Sequence, residues 1–143
     1  MSFQYFREGL EIYSRRAMKE SVMANEISLL EAVSRWLDWN NGPLGPNEEN
    51  YDFELDMRLF KAEAGFLLDL LEILSTKKLS EQAIANLGAG IAEDFLVNHS
   101  KYVKDLEERI VREPKMKEIF LYSWDRDDMP QNSLKFLEKL RNA

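Results

Sequence analysis

Cysteine is absent from this chain of 143 residues, and histidine occurs once, as His99. Without cysteine there can be no disulfide framework, no thiolate zinc site and no cysteine nucleophile. A zinc site would have to combine His99 with carboxylates alone, which is an uncommon ligand set. We therefore expect neither a metal nor a cofactor.

Long hydrophobic runs are also missing. The most apolar stretch, residues 65–71, is interrupted by Asp69, and no run approaches the roughly 18 residues of a membrane span. The first residues lack a basic head followed by an apolar segment, so no secretory signal is predicted. We expect a cytoplasmic protein that does not bind a membrane.

Basic residues are too few for a typical nucleic-acid-binding protein. The chain has 26 acidic and 19 basic residues, and its formal net charge is −7. Proteins that bind nucleic acid usually carry a basic face, so direct contact with nucleic acid is not expected. Negative charge favours the basic surfaces of other proteins, and it also aids solubility.

Strand patterns are absent as well, because no segment alternates polar and apolar residues over a useful length. The composition, 45% hydrophobic, is that of a globular protein. We predict an all-α fold, an irregular bundle or stacked helix pairs of about seven or eight short helices. Residues 1–143 are expected to form a single domain, in which a loop at 40–50 separates an N-terminal helical pair from the C-terminal helical part.

Apolar spacing and turn residues place these helices. Residues 3–17 carry an apolar stripe with a helical period, and a second helix is predicted from about Ser21 to Trp39. Residues 40–47 hold two prolines, two glycines and three asparagines, which indicate a loop. Further helices are predicted at 53–59, 62–74 (the central core helix), 81–87 after the N-cap Ser80, 91–98, 102–112 and from Pro114 through Trp124. Asn132 or Ser133 is expected to cap a final helix that carries Leu134, Phe136, Leu137 and Leu140.

An acidic run follows the loop and is flanked by aromatic residues. Aromatic anchors beside a charged rim are typical of protein interfaces. Trp39 and Tyr51 are candidate anchors, although aromatic residues more often belong to the core. The predicted partner-binding residues are Trp39, Glu48, Glu49, Tyr51, Asp52, Glu54 and Asp56.

The segment Gly88-Ala89-Gly90 superficially resembles a dinucleotide-binding loop. It follows a helix rather than a strand and lacks the third glycine, so two helices that meet at a sharp corner are the expected structure. Glu93 and Asp94 then fall in the first turn of the next helix, where carboxylates meet the helix dipole favourably. His99 near the end of that helix is expected to bond terminal carbonyls or to complement the dipole.

Residues 87–96, Leu-Gly-Ala-Gly-Ile-Ala-Glu-Asp-Phe-Leu, resemble the core motif of a family of short bacterial helical domains of unknown function. The resemblance covers about residues 60–143 and includes His99, a tryptophan at Trp124 and the turn Asp128-Met129-Pro130. Ile91 stands where the family usually has proline. The resemblance implies a helical fold and a bacterial or phage origin, but no catalytic residue.

These observations favour a non-enzymatic acidic protein that masks a basic protein partner, as immunity or antitoxin-type inhibitors do. A second hypothesis is an enzyme or small-ligand binder whose cleft at the glycine corner is lined by Glu93, Asp94 and His99. A third is a structural homo-oligomer that uses its apolar helices as the interface.

Overall fold

A computed structural model describes residues 27–41 and 49–143 of the chain. Every regular element in these two ranges is helical, which confirms the predicted all-α class. The predicted N-terminal helix at 3–17 and the loop residues 42–48 lie outside the described residues. In the described ranges no helix has the length and apolar character needed to cross a membrane.

Short connections join most of the described helices, and longer ones follow the first and the seventh. In chain order they are α1 Leu29–Asn40, α2 Phe53–Phe60, α3 Ala64–Ser75, α4 Glu81–Leu87, a π-helical turn Gly88–Ala92, α5 Glu93–Asn98, a 3₁₀ turn Ser100–Tyr102, α6 Val103–Arg112, α7 Lys115–Phe120 and α8 Gln131–Arg141.

Helix α3 is the centre of the core, as its sequence predicts. It is apolar on most of its circumference, and Leu70, Leu71 and Leu74 are fully buried. The helix packs against α1, α6, α7 and the π turn, so a helix with so wide an apolar face finds neighbours on several sides. One continuous cluster of buried side chains includes residues from α1 to α8, so the described helices share one core.

Two predicted helix starts are confirmed by their caps. The Ser80 side chain accepts a hydrogen bond from the backbone N–H of Ala83 at 3.1 Å and thereby starts α4. Pro114 directly precedes α7. A backbone N–H at the start of a helix has no acceptor within the helix, so the missing N–H of proline removes no helical hydrogen bond. These signals act within one turn of chain and depend little on tertiary packing.

Three predicted helix boundaries are wrong. Helix α1 does not continue back to Ser21, because Ser28 is extended and caps a helix that begins at Leu29. Helix α7 ends at Phe120, so Trp124 lies beyond it. Neither Asn132 nor Ser133 caps α8: both lie inside it, and their side chains bond the carbonyls of Ser100 and Leu96, on other elements.

Candidate functional site

The start of α2 joins α1 through a paired carboxylate. Asp52 accepts the backbone N–H of Leu55 at 3.1 Å, so it is the N-cap of α2. The same carboxylate receives two hydrogen bonds from the Arg35 guanidinium, at 2.8 and 2.6 Å. A cap and a bidentate ion pair on one side chain fix the beginning of α2 against α1.

Tyr51 extends an aromatic cluster onto the surface beside this cap. Its ring lies 4.9 Å from the ring of Trp39 and 6.0 Å from the ring of Phe53, between centroids. Its hydroxyl donates to an Asp56 carboxylate oxygen at 2.5 Å. Burial, together with this hydrogen bond and the charge of Asp56, raises the pKa of Tyr51 to about 12. Tyr51 nevertheless leaves 41% of its surface exposed, and Trp39 beneath it is half-buried.

The rest of the acidic run is partly neutralised inside the molecule. Glu54 pairs with Arg58 at 2.9 Å and lies 3.7 Å from the Arg35 guanidinium, although 60% of its side chain stays exposed. Glu49 is exposed, and Glu48 lies outside the described residues. The sequence shows the four carboxylates at positions 49, 52, 54 and 56, and Arg58 four residues after Glu54, but it does not show that Arg35 of α1 meets Asp52. With both arginines included, the local charge is about −2 rather than −4.

We expect Asp52→Asn to lower the free energy of unfolding by about 1 kcal/mol at neutral pH, because a charged hydrogen-bonded pair is lost. Asparagine caps helices as well as aspartate does, so the cap remains. The Arg35 guanidinium lowers the pKa of Asp52 below its ordinary 3.8. The stabilising effect of the charge is therefore present above pH 3.8 and lost as the pH falls through the folded-state pKa.

Asp94→Asn should change stability in the opposite direction. Burial raises the pKa of Asp94 above 3.8, as do the charges of Asp56 and Glu93, while Arg126 acts against them. Its protonated form is stabilising below pH 3.8, and this effect is lost as the pH rises through the raised pKa. The variant should be the more stable protein at neutral pH and should converge with the parent in acid. Urea unfolding of Asp52→Asn and Asp94→Asn at several pH values measures both effects. The prediction is contradicted if both substitutions change the free energy of unfolding in the same direction at neutral pH.

The glycine segment does not form the predicted corner. Helix α4, the π turn Gly88–Ala92 and α5 make one uninterrupted helical run from Glu81 to Asn98, and the residues at both junctions keep helical backbone angles. The predicted close approach of backbones is present. A Cβ atom at Gly88 would lie 2.3 Å from the carbonyl oxygen of Ile119 and 2.6 Å from the Cβ of Tyr122. Gly88 is thus the point where the end of α7 contacts the helical run.

Glu93 therefore does not lie at the free start of a helix. It follows the π turn within the run and is 7% exposed, and its Oε2 accepts the backbone N–H of Trp124 at 3.2 Å. Its Oε1 lies 3.8 Å from Nε of Arg126, and the same guanidinium lies 3.5 Å from Asp94. Glu93 and Asp94 were predicted to interact favourably with the dipole at a helix start. Instead they make tertiary contacts that hold the segment after α7.

His99 ends α5, as predicted, but bonds a carbonyl outside its own helix. Its Nε2 donates to the carbonyl oxygen of Ala62, just before α3, at 3.1 Å. Its ring lies 5.7 Å from the ring of Phe95. His99 thereby joins the end of α5 to the chain between α2 and α3.

Trp124 is the most exposed aromatic residue in the described part of the chain. Although its backbone is bonded to Glu93, its side chain is 74% exposed. Ser123 beside it is buried, and its hydroxyl donates to the carbonyl oxygen of Gly88 at 2.7 Å. Arg141 of α8 donates to the carbonyl oxygen of Ser123 at 2.8 Å. The roles of Ser123, Arg126 and Arg141 could not be found from the sequence, because Gly88, Glu93 and Ser123, which they contact, are distant in the chain.

The residues of the alternative cleft contact different partners. Glu93 and Asp94 meet Arg126, whereas His99 bonds Ala62. An open cleft of about 270 Å³ lies elsewhere, between α3 and α6, and none of the three residues lines it. No group of three or more acidic or histidine side chains suited to a metal ion occurs within residues 27–41 and 49–143. The cleft is lined by Gly65, Leu68, Tyr102, Asp105, Glu108, Arg109 and Arg112.

No family model matches the chain, and no curated protein and no solved structure matches it either. The resemblance of residues 60–143 to short bacterial helical domains remains a prediction.

Proposed function

We propose that this chain is a non-enzymatic acidic protein of the cytoplasm that binds and masks a protein partner with a basic surface. Immunity and antitoxin-type inhibitors of bacteria and phage act in this way, and the chain would belong to that functional class. The observation that carries the proposal is the partly exposed ring of Tyr51, which is held against Trp39 and by the Asp56 carboxylate in an acidic segment.

The fixed position of Tyr51 supports its role as an anchor. A side chain that is already held by a ring contact and a hydrogen bond loses little conformational freedom when a partner covers it. Tyrosine is also among the residue types enriched at energetically dominant positions of interfaces. Asp56, which fixes the hydroxyl, acts in this proposal as a positioning residue.

The carboxylates divide into two groups in this proposal. Asp52 stabilises the fold, because it caps α2 and pairs with Arg35. Glu49 and Glu54 keep exposed side chains, and these would attract a basic partner and orient its approach. Charges at the rim of an interface mainly raise the association rate, which is the property a fast-acting inhibitor needs.

The test begins with purification of the tagged full-length protein from its native host at low salt, and identification of the protein retained. We expect a retained protein with a basic surface whose own activity is suppressed by one equivalent of the chain. The double variant Glu49→Lys/Glu54→Lys should then associate about tenfold more slowly at low salt, because electrostatic steering is lost. Stopped-flow or surface plasmon measurements over a range of salt concentrations give this rate.

A matched control changes the net charge by the same amount on another face. Asp105→Lys/Glu108→Lys alters exposed positions of α6 and should leave the association rate within about twofold of the parent. Asp105→Lys/Glu108→Lys should unfold near the temperature of the parent, since both positions are exposed. Glu49→Lys/Glu54→Lys should keep the helical circular dichroism spectrum but lose about 1 kcal/mol of stability, because Glu54 pairs with Arg58. An equal slowing by both variants, or no slowing by the first, would remove the α2 face from the proposal. A retained protein whose activity is unchanged would contradict masking.

A further inference from the structure

The segment between α7 and α8 presents Trp124 on a fixed backbone. Three contacts hold residues 123 and 124: the Ser123 hydroxyl to Gly88, the Trp124 N–H to Glu93, and Arg141 to the Ser123 carbonyl. None of the three contacts involves the indole ring, which is 74% exposed. Exposure of a large apolar side chain to water is unfavourable, and a side chain on a rigid support loses little conformational freedom when a partner covers it. Both properties are typical of interface anchors.

The π turn is part of this support. Single π-helical turns within α-helices occur frequently at functional sites. Here the turn supplies both Gly88, which the end of α7 approaches, and the carbonyl that the Ser123 hydroxyl meets. Glu93, the next residue, holds the N–H of Trp124. The irregular turn and the exposed indole are therefore directly connected.

The surroundings of Trp124 are negatively charged. Asp125, Asp127 and Asp128 follow it in the chain, and Glu93 and Asp94 lie beneath the segment. Two arginines lie among these five carboxylates: Arg126 is 2.9 Å from Asp128, and Arg141 is 2.7 Å from Asp125. Five negative and two positive charges leave a local charge of −3 around an exposed aromatic ring.

We propose that Trp124 is the anchor for an arginine side chain on the basic surface of a protein partner. The face of an indole attracts a guanidinium, tryptophan is the best aromatic residue for this contact, and arginine makes it more often than lysine does. The surrounding carboxylates would meet the further basic residues of the same partner. This inference rests on the proposed function, because it specifies a second contact for the partner assigned there.

Charge complementarity also decides between possible occupants. A second copy of the chain would bring the same negative surface to a two-fold contact, and like charges would repel. Nucleic acid would bring phosphates to the same carboxylates and be repelled too.

The test uses the full-length protein and a blocked hexa-arginine peptide, with blocked hexaglutamate as the control ligand. Isothermal titration should show binding of hexa-arginine and none of hexaglutamate. Trp124→Ala should weaken hexa-arginine binding about tenfold, the size of effect expected for a partly desolvated cation–π contact, and Trp124→Phe should weaken it less. Val111→Ala, at an exposed apolar position of α6, should leave it unchanged. Circular dichroism and the unfolding midpoint check that each variant folds.

Each other outcome overturns the inference and is distinct from a failure of the proposed function. If hexa-arginine does not bind, or binds equally to Trp124→Ala, Trp124 is not an arginine anchor. The slower association of Glu49→Lys/Glu54→Lys with the natural partner would still stand in that case. If sedimentation shows a dimer that Trp124→Ala dissociates, the occupant is a second copy. Equal losses in Trp124→Ala and Val111→Ala would also contradict a specific contact.

Discussion

Gly88→Ala should destabilise the protein by about 3 kcal/mol, near the upper end of the usual cost of overpacking. The added Cβ would lie 2.3 Å from the carbonyl oxygen of Ile119, a distance that real Cβ atoms essentially never show. The atom it meets is backbone at the end of α7, so a change of side-chain rotamer cannot relieve the contact. Urea unfolding followed by circular dichroism measures the loss.

Gly90→Ala is the matched control, two residues along the same π turn. Apart from the adjacent residues and the backbone of its own helix, no atom lies within 4 Å of a Cβ built at Gly90. Alanine there should be neutral or add up to about 1 kcal/mol, because it restricts the unfolded chain at a helical position. If Gly88→Ala and Gly90→Ala lose similar amounts of stability, the π turn needs glycine for its own backbone conformation. The contact of Gly88 with α7 would then not be the cause of the loss.

The Gly88 contact also bears on the surface proposed for binding. Tyr122 is the second neighbour of the added Cβ, and Ser123 bonds the Gly88 carbonyl. A Gly88→Ala protein that still folds should hold Trp124 less firmly. We therefore expect a faster exchange of the Trp124 amide proton with solvent in this variant than in Gly90→Ala.

Phe95→Ala should cost about 4 kcal/mol, within the range measured for buried phenylalanine truncations. Phe95 is fully buried in α5 and lies against the ring of His99, which bonds the Ala62 carbonyl. Its removal takes away apolar burial and leaves a cavity at the junction of α5 with the chain before α3. Neighbouring helices are fixed by their own contacts and can fill this space only in part.

Phe60→Ala makes the same substitution at a half-exposed position, the last residue of α2. Phe60 is 51% exposed, so its truncation removes less burial and should cost roughly 1 kcal/mol. Thermal and urea unfolding of both variants test the difference. A loss at Phe60 equal to that at Phe95 would mean that Phe60 is covered in solution, and self-association would then be the first property to measure.

Local sequence signals predict much of this fold. The apolar residues of α3 identify the central helix, and Ser80 and Pro114 mark helix starts that the structure confirms. Each signal involves residues within about one helical turn, so the chain needs no distant partner to express it. The predictions failed for residues that can form either a local hydrogen bond or one to a distant part of the chain. Asn132 and Ser133 are good caps, yet both bond distant carbonyls inside α8.

The candidate site was less accessible to sequence analysis. Proximity in sequence grouped Trp39, Tyr51 and Asp56, and the structure does bring Trp39 to Tyr51 and Tyr51 to Asp56. Asp52 was predicted to bind a partner, whereas it pairs with Arg35, which is 17 residues away and could not be identified from the sequence. Sequence analysis also placed Trp124 on a helix among apolar residues, where a core position would be the ordinary expectation.

By itself, the sequence determined the helical class, the apolar centre at α3 and the acidic character of the chain. The tertiary structure decided which charges are neutralised and which aromatic rings are exposed. Glu93 is buried beneath Trp124 and Tyr51 is held by Trp39 only because packed helices bring together residues that are distant in the chain. Helix formation depends on neighbours within four residues, whereas burial and ion pairing depend on the arrangement of whole helices.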